Sequence, residues 1–342
     1  MPQATPERVK EGRFMATVLM TGGHAGLGLE GARTLAKRFG SNLILAGRNP
    51  DRVGRAAEQL RHETGVRVEV LEMDLNSIAS VRAGATRCKA MLEADPRNQG
   101  QLQGIVCNAG AQFRGPVSYS ADGYEETFAG NCLGHFLLTN LLLDSVTTGG
   151  RIIWTASGTH DPASMDGKTV GAAVEPDART LVREGRNGKP ISGGRRYATS
   201  KLCVILYAYE LDRRLRRAGT AAVSIAYDPG FIPDTGMGRM APSIFRTSVV
   251  KLFLRKLGVT MGQMPFSGEA LGMLAADPAF AQGSGKYFHS KDGVLSEAKS
   301  SAVSYDERKA AQLWEDSEDL VHLAASERPI RLPSASDGEE AR

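Results

Sequence analysis

Thr17-Val18-Leu19-Met20-Thr21-Gly22-Gly23-His24-Ala25-Gly26-Leu27-Gly28, running on to Phe39, is the stretch that decides the fold. Thr17–Met20 is a short apolar run of strand length, and Leu27–Phe39 carries helical spacing. Between them, glycine lets a backbone turn sharply and approach a ligand with no Cβ in the way. The N–H groups and positive dipole end of the following helix then suit an anion such as a pyrophosphate. A glycine string alone means little in a chain with 39 glycines, and a tight turn is its bland reading; its place between strand and helix gives it weight.

The alternation continues outward. Asn42–Ala46, Val66–Leu71, Gly104–Cys107, Arg151–Thr155 and Ala222–Tyr227 read as strands, with Gly285–Phe288 as a seventh. Asp51–Glu63, a segment capped by Ser77 that ends near Ala94, Tyr124–Ser145 and Arg195–Arg217 read as helices. Short β-branched runs alternating with long helices imply an α/β fold: a Rossmann-like, doubly wound parallel sheet of about seven strands, flanked by helices on both faces. Ligands of such sheets bind beyond the carboxyl ends of the strands, where strand order reverses.

Residues just past the strands carry the chemistry. The second strand ends Leu45-Ala46-Gly47-Arg48, with no acid to accept hydrogen bonds from an adenosine ribose as NAD sites have. Arg48 can instead pair with a 2′-phosphate, which points to NADP(H); otherwise it is an ordinary exposed arginine. After the third strand, Asp74-Leu75 offers a carboxylate either to an adenine amino group or to the start of the next helix. The fourth ends Asn108-Ala109-Gly110, small enough for close contact with the ribose and nicotinamide half of a dinucleotide.

The fifth strand ends Trp154-Thr155-Ala156-Ser157, and Tyr197 and Lys201 lie one helical turn apart farther on. Together they suit proton transfer at a substrate oxygen while hydride moves at nicotinamide C4. Tyrosine is a poor base at its reference pKa near 10, and an adjacent ammonium with an oxidised nicotinamide favours the phenolate. Ser157 would bond the substrate oxygen, and Lys201 would also hold the nicotinamide ribose. Asn131 could support Lys201 through a water. The Tyr-x-x-x-Lys pattern recurs at Tyr287/Lys291, which reads as a strand entering a turn, and at Tyr305/Lys309, in a polar region. Only Tyr197 follows a strand-end serine and begins a helix.

Thr21-Gly22-x-x-x-Gly26-x-Gly28, Asn108-Ala109-Gly110, Asn131, Ser157, Tyr197-x-x-x-Lys201 and Asp228-Pro229-Gly230, taken in order, resemble the short-chain dehydrogenase/reductase superfamily over residues 15–230. The resemblance implies that Asn131, Ser157, Tyr197 and Lys201 form a catalytic tetrad. It also implies that Pro229-Gly230 lies against the nicotinamide; relatives often pair through the long helices, including the one bearing Tyr197, and whether this chain forms such a homo-oligomer is open. Asn131-Cys132-Leu133-Gly134-His135-Phe136 is similar to the branch of retinol dehydrogenases and light-dependent protochlorophyllide reductases; Leu313-Trp314-Glu315-Asp316-Ser317-Glu318 is closer to the latter. Residues 158–196 are an insertion relative to compact members. Phe231 stands where the pigment reductases carry a cysteine.

Composition narrows the rest. Residues 1–13 form a polar arm, 14–325 a single domain, and 326–342 a polar tail, both ends read as disordered or weakly docked. No signal-like apolar segment opens the chain and no apolar run is long enough to span a bilayer. Cys88, Cys107, Cys132 and Cys203 show no disulfide or zinc spacing, which fits a reducing, cytoplasmic setting and no metal. The net charge of +4 and the Arg213, Arg214, Arg216, Arg217 cluster read as a solvated face, with no nucleic acid as partner. Residues 231–266, with Phe231, Met237, Met240, Phe245, Met261, Met264 and Phe266, should cover a small lipophilic substrate or else fill the core. Ser248 to Gly258, apolar with Lys251, Arg255 and Lys256, reads as a lid that could touch a membrane surface. The function expected is an NADP(H)-dependent alcohol/carbonyl oxidoreductase; a tetrapyrrole C=C reductase and a non-catalytic NADP(H)-binding regulator are the alternatives.

Overall fold

The computed structural model describes residues 16–95, 100–113, 115–232, 259–330 and 332. The polar arm, the 248–258 segment, Met237, Met240, Phe245 and the end of the tail lie outside the described residues.

Eight strands form one sheet in the order β3-β2-β1-β4-β5-β6-β7-β8. They are β1 (Thr17–Thr21), β2 (Asn42–Gly47), β3 (Val68–Glu72), β4 (Leu102–Cys107), β5 (Val146–Thr155), β6 (Val223–Asp228), β7 (Lys286–Lys291) and β8 (Val294–Ala298). All neighbours pair in parallel except β7 with β8. Strand order reverses between β1 and β4, so a crevice opens past their carboxyl ends.

Side chains alternate across this sheet with period two. Leu19, Ile44, Ile105, Ile152 and Trp154 face one apolar layer; Val18, Met20, Leu43, Leu45, Val106 and Ile153 face the other. Both faces are buried, which explains why the strands read as near-continuous apolar runs; each such side chain contributes roughly 1.5–3 kcal/mol.

The helices are α1 (Gly26–Phe39), α2 (Pro50–Thr64), α3 (Ile78–Glu93), α4 (Glu126–Phe128), α5 (Gly134–Leu142), α6 (Met165–Val170), α7 (Ala178–Leu181), α8 (Gly193–Arg217), α9 (Phe266–Ala276) and α10 (Glu307–Leu320). Their starts follow from capping: Asn49 accepts from the N–H of Arg52, Ser77 from Ser80 and Ser192 from Arg195. The segment expected as one helix, Tyr124–Ser145, is interrupted by a π-helical turn at Ala129–Leu133, which re-aims Asn131.

The sheet has eight strands rather than about seven. The extra one, β8, folds back on β7 through Asp292 and Gly293, both with positive φ, a two-residue hairpin turn. Strand β5 starts five residues earlier than Arg151 because its register on β4 shifts between Leu102 and Gly104. Helix α9, rich in small residues, crosses α1 where Cβ atoms would not fit: one on Gly268 would lie 2.3 Å from the Glu30 Cβ.

Helix α8 is covered over most of its length. Every residue from Arg196 to Asp212 is buried by the chain itself. One face packs on the sheet and the other beneath α10, whose Trp314 contacts Phe136 at 4.8 Å and Tyr207 at 6.3 Å between ring centroids. The arginine cluster is paired internally: Arg213, Arg214 and Arg217 with Glu210, Arg216 with Asp212. The start of the tail also docks, since Arg82 forms an ion pair with Glu327 and Leu332 is buried.

Candidate active site

A cavity of about 890 Å³ occupies the crevice at the strand reversal. Every site residue expected from the sequence lines it: Thr21, Gly22, His24, Gly26, Leu27, Gly28, Arg48, Asp74, Leu75, Asn108, Ala109, Gly110, Asn131, Ser157, Tyr197, Lys201, Pro229 and Gly230.

The glycine loop is built for close approach. Gly22 has φ +66°, and a Cβ on Gly28 would lie 2.3 Å from the Gly22 carbonyl oxygen. Asn108 fastens the loop to the end of β4, donating from Nδ2 to the carbonyls of Thr21 at 3.0 Å and Gly22 at 3.3 Å. Thr21 Oγ1 accepts from the N–H groups of Asn108 and Ala109, each at 3.0 Å. Asp74 spends one carboxylate oxygen on the Asn76 N–H at 3.0 Å and keeps its place on the cavity wall, while Ser77 caps α3. Arg48 and Arg52 are exposed at the cavity mouth.

Buried polar atoms of His24, Asn76 and Thr155 in this wall have no hydrogen-bond partner, which is unusual unless a ligand supplies one. Together with the cradle at Gly22 and Gly28, this fits a dinucleotide. When bound, such a group supplies or accepts hydride at its nicotinamide.

At the other end stand Ser157, Tyr197 and Lys201. Tyr197 and Lys201 are both buried on the first turns of α8, and Lys201 Nζ lies 5.7 Å from the Tyr197 ring centroid. The Ser157 hydroxyl is hydrogen-bonded to Tyr197 and accepts from Thr159 Oγ1 at 3.1 Å. Lys201 donates to the Thr155 carbonyl at 2.8 Å. Asn131 is fixed from two sides: its Oδ1 accepts from the Ala111 N–H at 2.9 Å, and its Nδ2 donates to Ala111 O and Ser200 Oγ, each at 3.0 Å. Gly110 lies between them, with a would-be Cβ 3.4 Å from both Asn131 Oδ1 and Lys201 Nζ.

The expected lowering of the Tyr197 pKa is not what the chain alone produces. Burial pushes the phenol up to about 12; the Ser157 hydrogen bond offsets part of this and Asp228 adds to it. Burial also brings Lys201 down to about 8. Desolvation is the largest cause for both groups.

The other Tyr-x-x-x-Lys pairs are set apart as expected. Tyr287 lies on β7 and donates to Asp228 Oδ2 at 3.0 Å, while Tyr305 is half exposed and Lys309 pairs with Glu175. Sequence reasoning missed three residues at the site. Arg52, on the first turn of α2 just past Arg48, was findable by its closeness to the end of β2. His135 lies behind the glycine loop, its Nε2 2.9 Å from Thr21 Oγ1. Asp166 comes from the inserted segment, where both carboxylate oxygens face the Thr260 N–H, at 3.1 and 3.3 Å. Burial pushes Asp166 up to about 6.

Fold and site together define a nucleotide-binding α/β oxidoreductase, and comparison with known proteins agrees. The short chain dehydrogenase family model matches residues 16–168. Human polyprenol dehydrogenase is 30% identical over 308 residues, covering 87% of this chain and 83% of the relative. Human retinol dehydrogenase 13 is 33% identical over 322 residues, covering 93% and 88%. The chloroplastic protochlorophyllide reductase of Daucus carota is 31% identical over 327 residues, covering 90% and 78%. The chain belongs to the short-chain dehydrogenase/reductase family, in the branch that holds retinol dehydrogenases and protochlorophyllide reductases, and is an oxidoreductase.

Proposed function

We propose that the protein is an NADP(H)-dependent oxidoreductase that interconverts a carbonyl and an alcohol on a lipophilic substrate. The observation that carries this reading is the convergence, in one cavity, of Ser157, Tyr197 and Lys201 at one end and Arg48 at the other. Ser157 holds the substrate oxygen, Tyr197 is its proton donor or acceptor, and Asn131 braces the helix turn that carries Lys201. Arg48 pairs with the 2′-phosphate of NADP(H).

With Tyr197 held near 12 and Lys201 charged below about pH 8, the resting site carries a proton to give, which suits carbonyl reduction. A bound NADPH would supply the hydride for the carbonyl carbon; Tyr197 gives its proton to the substrate oxygen, Ser157 holds that oxygen, and solvent reprotonates the phenolate.

Lipophilic character is supported by Phe113, Val170, Phe231, Ile232 and Val259 along the cavity, and by relatives named for retinol and polyprenol. Four free, buried cysteines suit the reducing conditions of a cytoplasm, and no helix among the described residues is long and apolar enough to cross a membrane. Likeness to protochlorophyllide reductase favours C=C reduction as a second reading. Against it, no cysteine lines the cavity among the described residues.

The test is turnover of NADPH with lipophilic aldehydes and ketones, in light and in dark, with protochlorophyllide as a separate arm. Tyr197→Phe should lower turnover at least about 100-fold and leave NADPH affinity unchanged. Undiminished turnover in that variant would remove Tyr197 from the chemistry, and pigment reduction only in light would favour the second reading.

A further inference from the structure

His24 stands in the glycine loop between β1 and α1, and its surroundings are unusual for a loop histidine. Its Nδ1 is buried yet has no hydrogen-bond partner. A Cβ on Gly47 would lie 3.5 Å from that nitrogen and 3.6 Å from Cε1, so the ring covers the end of β2 immediately before Arg48. His24, Arg48 and Arg52 line the same end of the cavity. Neither guanidinium makes an ion pair among the described residues, which leaves two uncompensated positive charges beside an orphaned imidazole nitrogen.

We propose that His24 is a third, protonatable partner of the cofactor's 2′-phosphate, so that this end of the cavity takes up a proton as NADP(H) binds. The inference rests on the NADP(H) reading above and adds to it a role for a residue that the Arg48 pairing does not need.

In the bare chain, burial and the Arg52 charge push the His24 pKa down, so the ring is neutral at neutral pH. The charged groups about it are Arg48 at the end of β2, Arg52 and the exposed Asp51 on the first turn of α2, and Asp74 past β3 with one oxygen already bonded. A phosphate between the guanidiniums reverses the field at the ring. A nearby dianion favours imidazolium, and the orphaned nitrogen can then donate to a phosphate oxygen. The protonated ring binds the phosphate more tightly, so affinity for NADPH falls as pH rises through the pKa of the complex. The phosphate ionises near pH 6, and two adjacent guanidiniums make it release protons rather than take them up. The sign of proton exchange therefore separates histidine from phosphate.

The experiment is calorimetric titration of the full chain with NADPH and with NADH between pH 6 and 8.5, in buffers of different ionisation heat, for wild type and His24→Asn. Wild type should take up roughly half a proton with NADPH near pH 7 and none with NADH. His24→Asn should lose that uptake, bind NADPH about tenfold more weakly at pH 6.5 and nearly normally at pH 8.5, and bind NADH as wild type does. Unchanged NADH binding reports an intact fold. Preference for NADPH with the same proton uptake in both proteins would overturn the role of His24 alone. Equal loss of both cofactors in the variant would likewise overturn it. Equal wild-type affinity for NADPH and NADH would overturn the NADP(H) reading and the inference with it.

Discussion

Thr21 Oγ1 and His135 Nε2 lie 2.9 Å apart inside the core, and counting donors fixes which carries the proton. The Asn131 carbonyl beside Nδ1 can only accept, so Nδ1 of the neutral ring carries the proton. The Thr21 hydroxyl, which accepts from the Asn108 and Ala109 N–H groups, has its hydrogen between His135 Nε2 and the Val106 carbonyl at 3.3 Å. The imidazole therefore accepts at Nε2 and donates from Nδ1 to the Asn131 carbonyl, 3.2 Å away. One neutral histidine thus ties the cofactor loop to the turn that aims Asn131.

His135→Phe keeps the bulk and removes both bonds, at a cost of about 2 kcal/mol. It should also alter the acid limb of stability. Burial holds the His135 pKa near 4, below its ordinary 6.5. Stability from the neutral ring is complete above 6.5 and is lost as pH falls through 4, on the order of 3 kcal/mol in all. Urea midpoints from pH 4 to 7 should show a shallower acid slope in the variant; an identical slope would mean the ring is already charged in the fold.

Asp166 acts with the opposite sign. Its carboxyl is raised to about 6 from an ordinary 3.8, so the fold prefers the protonated acid. Stability then falls as pH rises between those values, and the penalty is complete above 6. Asp166→Asn, which can still accept from Thr260, should gain on the order of 2 kcal/mol at pH 8 and nothing at pH 3. Because the two effects oppose each other across the acid range, the wild-type profile alone conceals both. No gain at pH 8 in thermal melts would show that solvent or a counter-charge reaches the carboxylate.

Two glycine-to-alanine changes should separate a cradle from a helix. At Gly28 the methyl group meets the Gly22 carbonyl, and the expected cost is about 2 kcal/mol with at least tenfold weaker NADPH binding. At Gly54, in open space on α2, alanine should stabilise by about 0.5–1 kcal/mol and leave binding alone. Scanning calorimetry with cofactor titration checks both, and unimpaired binding in Gly28→Ala would move the pyrophosphate away from this loop.

Trp314→Ala should cost about 3–5 kcal/mol, since it removes a buried ring in edge-to-face contact with Phe136 and Tyr207 and carrying Arg214 at 4.8 Å. A melting temperature within a few degrees of wild type would mean that α10 contributes little to holding α8.

The sheet was largely legible because its central strands are buried on both faces and several are followed by a helix with a recognisable cap, such as Asn49 and Ser77. β8 escaped because Val294–Ala298 is a half-exposed edge strand with no apolar run; the Asp292-Gly293 pair was its real signal. α9 escaped because its mostly small and apolar residues, buried on nearly all sides, leave no distinguishing period. The site residues at strand ends could be read one by one, since the rule for parallel sheets says where to look. His135 and Asp166 could not. Their positions depend on a π-helical turn and on an inserted segment, whose geometry leaves no local pattern. The upward pull of burial on Tyr197 was not legible either: burial is a property of the packed core, and only the pair's proximity is visible in the spacing.

The roof that α10 places over α8 has a consequence for how the molecule comes into being. The helix carrying Tyr197 and Lys201 emerges from the ribosome about a hundred residues before its cover does. During synthesis its outer apolar side must wait, bare or chaperoned, until the last helix arrives. A message truncated ahead of residue 307 would therefore yield a polypeptide with all four tetrad residues and no shelter for them, a substrate for proteolysis rather than a shortened enzyme.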